Sequence, residues 1–152
     1  MVFAGARNTQ RSHQIWVKSG MKTFVVEDSE VILNNLVATL EELTPVKVVG
    51  SAPDASSAIN WLMQPSNIFD LVIIDIFLKS GSGLAVLKSI LELSIQAKRV
   101  VLTNYATPEM RARCAALGAH RVFDKSSEID ELVEYCVQLQ QENQLNAGYT
   151  RH

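Results

Sequence analysis

Five residues able to do chemistry stand at the ends of short apolar runs. Phe24-Val25-Val26 leads into Glu27-Asp28, Leu71-Val72-Ile73-Ile74 into Asp75, Val100-Val101-Leu102 into Thr103, and Val122-Phe123, by way of Asp124, into Lys125. Any one of them alone reads as a cap or turn residue. As a set they describe a site. Carboxylates held close together repel and raise one another's pKa unless a cation joins them. Oxygen donors with no His or Cys among them select a hard cation. Magnesium fits, because it keeps several waters and leaves room for a phosphate oxygen. Such a cation, the Lys125 ammonium and the Thr103 hydroxyl make a cradle for three phosphoryl oxygens. The group placed to attack phosphorus is then the Asp75 carboxylate, a known type of covalent nucleophile.

That convergence demands a particular scaffold. Leu71 to Asp75 is too short for a helix and carries β-branched residues, so it reads as a strand buried on both faces. Similar strands are predicted at Lys22–Val26, Val46–Ala52, Arg99–Thr103 and Arg121–Asp124. Helical spacing joins Leu33, Leu36, Val37, Leu40 and Leu43 after the first strand, where Ser29 or Asp28 can cap. It joins Ala55, Ala58, Ile59 and Leu62 after Asp54, and Leu84, Leu87, Ile90 and Leu91 after Gly83. Thr107-Pro108-Glu109 opens a fourth helix carrying Met110, Cys114, Ala115 and Leu117, which Gly118 ends. The last helix buries Ile129, Leu132, Val133, Cys136 and Val137, and the polar sequence past Gln141 is expected to fray. Alternation of strand and helix implies a doubly wound α/β fold. Its five-stranded parallel sheet has the flavodoxin-like order 2-1-3-4-5, with helices on both faces. In that order strands one and three are neighbours, and a crevice opens between their carboxyl ends.

Composition narrows the classes. At 152 residues and 47% apolar content, one domain with a full core is expected over 21–141. A net charge of −2 offers nothing global to attract nucleic acid, and no apolar run reaches the length of a membrane span. Residues 1–20 carry Arg7, Arg11 and Lys18 and no acid; removing these three from 14 basic residues leaves 11 against 16 acids. This stretch reads as a disordered or expression-derived leader, and Met21 offers a second start. Residues 142–152 form the frayed tail. Cys114 and Cys136 lack metal-type spacing and read as reduced packing or surface cysteines of a cytoplasmic protein. His13, His120 and His152 are scattered and read as surface groups. Trp61 on the second helix reads as packing rather than binding.

The pattern resembles the receiver domain of two-component response regulators, here in single-domain form, over about residues 22 to 140. The resemblance rests on FVVED at 24–28, LVIID at 71–75, Gly83 eight residues beyond Asp75, VVLT at 100–103 and FDK at 123–125. It implies that Asp75 is the phosphoacceptor for a sensor histidine kinase or phosphotransfer protein. It implies that Asp28, Asp75 and the Phe77 backbone carbonyl hold Mg²⁺, with Glu27 acting through water or directly. Lys125 would pair with phosphate and Thr103 would swing towards it. The fourth helix, fifth strand and fifth helix would then signal to a protein target, or to a second copy in a phosphorylation-dependent homodimer. No direct nucleic-acid contact is expected, because the polar residues after the last helix are too few for a helix-turn-helix.

Departures qualify the resemblance. Lys79 stands where many members carry proline, and Ser126 follows Lys125 where many carry a cis proline. The aromatic that swings with the threonine would lie three residues before the lysine, and that position is Val122. Phe123 is one residue off and should face the other side of the strand. Phe77 and Tyr105 each lie two residues after a key group, so their rings are expected to overhang an acyl phosphate and slow its hydrolysis. Three rival readings remain. An FMN-binding flavodoxin-type protein needs a Ser/Thr/Gly loop after strand one, where Glu27-Asp28 would repel phosphate. An aspartate-nucleophile phosphatase needs an acid where Phe77 stands. A non-phosphorylated docking module needs none of the five residues.

Overall fold

The computed structural model describes residues 20–149. The leader with His13 and Trp16, and His152, lie outside the described residues. The strands are β1 (Met21–Val26), β2 (Val46–Ala52), β3 (Leu71–Ile74), β4 (Lys98–Thr103) and β5 (Arg121–Asp124). The helices are α1 (Glu30–Leu43), α2 (Ala55–Leu62), α3 (Gly83–Glu92), α4 (Pro108–Ala116) and α5 (Ile129–Tyr149). All strand pairs are parallel, in the order β2-β1-β3-β4-β5. This is the predicted doubly wound sheet.

Side-chain alternation divides the core into two layers. Phe24, Val26, Val72, Ile74, Val101 and Val122 face α2, α3 and α4, where Ala58, Leu62, Val86, Leu87, Ile90 and Cys114 meet them. Val25, Leu71, Ile73, Val100, Leu102 and Phe123 face α1 and α5, against Leu36, Leu40, Leu132, Cys136 and Leu139. Phe123 therefore points away from the face that Val122 occupies, as the alternation predicts. β3 is buried at every position, consistent with its unbroken apolar sequence. Trp61 packs: its ring lies flat on Phe24, with centroids 4.0 Å apart.

Each crossover helix begins at a side-chain cap. Ser29, Asp54, Ser82 and Thr107 accept backbone N–H bonds from Ile32, Ser57, Leu84 and Met110. Because Ser29 caps α1, the carboxylate of Asp28 is left for the sheet edge. On the edge strand β2, the Val48 N–H donates to the Glu41 carboxylate of α1 at 2.9 Å.

Three expectations are corrected. Leu43 and Leu91 are 57% and 49% exposed. Both lie in the last turn of their helices, beyond the reach of the sheet. Ala115 is likewise exposed, leaving Cys114 as the buried residue of α4. The third correction concerns the tail, since α5 runs through Tyr149 instead of fraying past Gln141. Gln, Glu, Leu and Ala sustain helix there, and no proline interrupts it. No helix among the described residues is long and apolar enough to cross a membrane.

Candidate functional site

The carboxyl ends of β1 and β3 lie side by side, because Val26 pairs with Ile74. The Asp75 N–H continues that ladder to the Val26 carbonyl at 2.9 Å, which holds Asp75 beside Glu27 and Asp28. Carboxylate oxygens of Glu27, Asp28 and Asp75 all lie within 4.8 Å of one another. Glu27 and Asp75 are buried at 4% and 7% exposure, while Asp28 is half-buried. From β5, Lys125 reaches across the sheet edge. Its Nζ donates to Asp75 Oδ2 at 2.9 Å and to Glu27 Oε1. The Lys125 N–H bonds the Thr103 carbonyl at 2.9 Å, fixing where the side chain departs.

The turn after β3 is built closely around this cluster. The Phe77 N–H donates to Asp75 Oδ1 at 3.2 Å, and the Lys79 N–H to Asp28 Oδ2 at 2.8 Å. Phe77 and Ser82 then form a short antiparallel bridge. Gly81 supplies the left-handed φ of +78° that the turn requires. At Gly83 the requirement is space, since a Cβ would lie 2.2 Å from the Asp75 carbonyl oxygen. Both glycines thus position the acid rather than act on it.

The electrostatics follow from burial and pairing. Burial pushes the Glu27 carboxyl above its usual range, although bonds from Lys125 and the Ser29 N–H oppose this. For Asp28, burial also acts upwards, but the interaction with the neighbouring Glu27 carboxyl, the hydrogen bond from the Lys79 N–H and the Lys79 charge outweigh it and lower the pKa. For Lys125, burial acts downwards, and the bonds to Glu27 and Asp75 prevail to raise it. Counted as ionised, three carboxylates against one ammonium leave two negative charges, which one divalent cation would balance. An all-oxygen donor set of this kind suits a hard ion.

Thr103 occupies the same edge, fully buried at the end of β4. Its hydroxyl accepts the Tyr105 N–H at 3.1 Å. Its recorded partner is thus a backbone group of the following loop, and not one of the acids. The exposed rings of Phe77 and Tyr105 meet edge to face with centroids 4.8 Å apart, joining the loop after Asp75 to the loop after Thr103. Sequence reasoning named both rings but gave no sign that they touch.

It missed Arg111 altogether. This α4 residue donates to the Ala106 carbonyl at 3.0 Å, the Val122 carbonyl at 2.7 Å and Glu128 Oε1 at 2.6 Å. Nothing in its spacing signals these contacts, because an arginine on a helix surface ordinarily faces water.

A five-stranded 2-1-3-4-5 sheet thus carries three acids and a lysine at its carboxyl edge. The response regulator receiver domain model matches residues 23–137, and the chain belongs to that family. It is 28% identical over 114 residues to YvfU of Bacillus subtilis, an uncharacterized transcriptional regulatory protein, covering 75% of this chain and 56% of YvfU. It is 30% identical over 113 residues to the transcriptional regulatory protein DltR of Streptococcus agalactiae, covering 74% of this chain and 49% of DltR. The chain thus spans about half the length of these curated relatives. Among solved structures, the receiver domain of the Francisella response regulator 1452 superposes with a TM-score of 0.71 at 21% identity, over 81% of this chain and 98% of that one.

Proposed function

We propose that Asp75 is the phosphoacceptor of a two-component phosphorelay, charged by the phosphohistidine of a sensor histidine kinase or phosphotransfer protein. The observation that carries this reading is the shared pocket: Asp75 within 4.8 Å of Glu27 and Asp28 and bonded to Lys125. The donor set fits Mg²⁺. Asp28 and Asp75 would hold it directly with the Phe77 carbonyl, and Glu27 directly or through water. When bound, the ion neutralises charge on the transferring phosphoryl oxygens.

The chain's own residues do the rest. A carboxylate oxygen of Asp75 forms the new O–P bond as the donor's N–P bond breaks. The electron pair of that bond stays on the imidazole nitrogen, which takes a proton from solvent. Lys125, held beside Asp75 by Glu27, is placed to pair with a phosphoryl oxygen. Turning the Thr103 hydroxyl to another phosphoryl oxygen exchanges its bond from Tyr105 for a new one. That exchange biases an equilibrium of the α4–β5–α5 face, changing which protein, a second copy included, binds there.

Incubation with acetyl phosphate and Mg²⁺ tests the reading by intact mass. Wild type is expected to gain one phosphoryl group, and Asp75→Asn none. An unmodified wild type, or equal gain by both proteins, would overturn the assignment.

A further inference from the structure

Signal transfer from the acceptor site needs a physical connection to α4, β5 and α5. An aromatic side chain does not supply it here, because Val122 stands at the position where the resemblance places that ring. Another side chain spans the gap. Arg111 ties together the loop after Thr103, through the Ala106 carbonyl, the middle of β5, through the Val122 carbonyl, and the residue preceding α5, through Glu128. Glu128 Oε1 also accepts the Asp124 N–H at 2.8 Å, one residue before Lys125. The chain of contacts therefore begins and ends beside the site. It runs from the Thr103 hydroxyl to the Tyr105 N–H, along one peptide to Ala106, through the Arg111 guanidinium, and to the strand and helix on either side of Lys125.

The packing makes this connection matter. Cys114 is the one fully buried residue of α4, with Met110 packed partly buried against the same core, so the apolar anchorage of the helix is narrow. Directional bonds donated by the Arg111 guanidinium add to that seat in its N-terminal half. A planar group with fixed donors can satisfy three acceptors only while they keep their relative positions. If Thr103 releases Tyr105, the Ala106 carbonyl shifts, and all three bonds cannot persist.

From this geometry we propose that Arg111 is the positioning residue that couples the Thr103 hydroxyl to the α4–β5–α5 face. It holds that face in the arrangement in which Thr103 bonds Tyr105. This inference rests on the phosphoacceptor reading and adds its route of transmission.

Beryllofluoride with Mg²⁺ mimics the acyl phosphate, and amide hydrogen exchange reads each segment separately. In wild type, the mimic is expected to change exchange both at 103–107 and at 121–132. In Arg111→Met, which keeps the apolar stem, the change at 103–107 should persist and that at 121–132 should be lost. The mimic should also bind about two- to fivefold tighter, the range expected when an exposed ion pair no longer opposes the shift. Arg111→Lys, which keeps the charge but not the fork, should behave like Arg111→Met and guards against a general loss of structure. An unchanged response at 121–132 in both variants overturns the coupling and leaves the acceptor assignment standing. Failure of wild type to bind the mimic overturns both.

Discussion

Lys125 Nζ stands 2.9 Å from Asp75 Oδ2 and also bonds Glu27, so one ammonium joins the tips of β1 and β5 to the residue following β3. The side chains involved are nearly closed to water, at 10% exposure for Lys125, 9% for Asp75 and 2% for Glu27. Removing one partner of so buried a pair leaves uncompensated charge and costs about 3–5 kcal/mol. Lys125→Met is therefore expected to lower the urea midpoint markedly in metal-free buffer. Added Mg²⁺ should recover more stability in the variant than in wild type. Equal metal-free midpoints would show that the pair contributes nothing to the fold.

The acid cluster also predicts a direct response to metal. A ligand at a hundred times its Kd stabilises by about 2.7 kcal/mol if it binds only the folded state. Wild type should thus gain stability on Mg²⁺ titration. Asp28→Asn keeps an acceptor for the Lys79 N–H but removes a charged ligand. Its gain at the same Mg²⁺ concentration should be smaller by about 1.4 kcal/mol for each tenfold loss of affinity. Identical gains in the two proteins would place the metal elsewhere.

Phe77 and Tyr105 are 51% and 60% exposed, yet their rings touch over the two loops that flank the acceptor. On the proposed phosphoacceptor role of Asp75, such a pair would screen the acyl phosphate from attacking water. Phe77→Asn should lose phosphate several-fold faster than wild type when the phosphorylated proteins are followed by intact mass. Equal rates would discard the shielding role while leaving the contact itself unchallenged.

His120 sets a pH dependence at the other end of the sheet. Its Nδ1 accepts the Arg99 N–H at 3.0 Å. Burial, then the charges of Arg99 and Lys98, depress its pKa below the ordinary 6.5. A neutral ring is thus favoured in the folded chain. As pH falls below 6.5 the unfolded chain takes up the proton first, so stability declines through the lower folded value. Above 6.5 the contribution is fully present. The drop in urea midpoint between pH 7.5 and pH 5 should be smaller in His120→Gln than in wild type. Parallel pH profiles for the two proteins would remove His120 as the cause.

The sequence made the tips of β1, β3, β4 and β5 legible because each brings apolar strand residues to a polar end, and a strand end is the one place where that change has a fixed spatial meaning. Glu27, Asp28, Asp75 and Lys125 come together accordingly. Thr103 was legible by position and not by partner. Which group a hydroxyl bonds depends on a rotamer and a neighbouring peptide, and neither is encoded in spacing. Arg111 was invisible for a related reason: its acceptors are backbone carbonyls, and every residue has one. The exposure of Leu43 and Leu91 reflects the finite width of the sheet, which helical periodicity does not contain. The length of α5 was missed because polarity suggests fraying, whereas helix propensity depends on side-chain entropy and tolerates Gln and Glu.

Glu41 has a bearing on how copies of this molecule can meet. With its carboxylate occupying the Val48 N–H, the outer margin of the sheet offers an incoming strand an interrupted template. Accretion of chains along that border is discouraged at its midpoint by a single acid. Neutralising it, as in Glu41→Ala, would return a docking point for amyloid-like growth to the rim of an otherwise well-behaved domain.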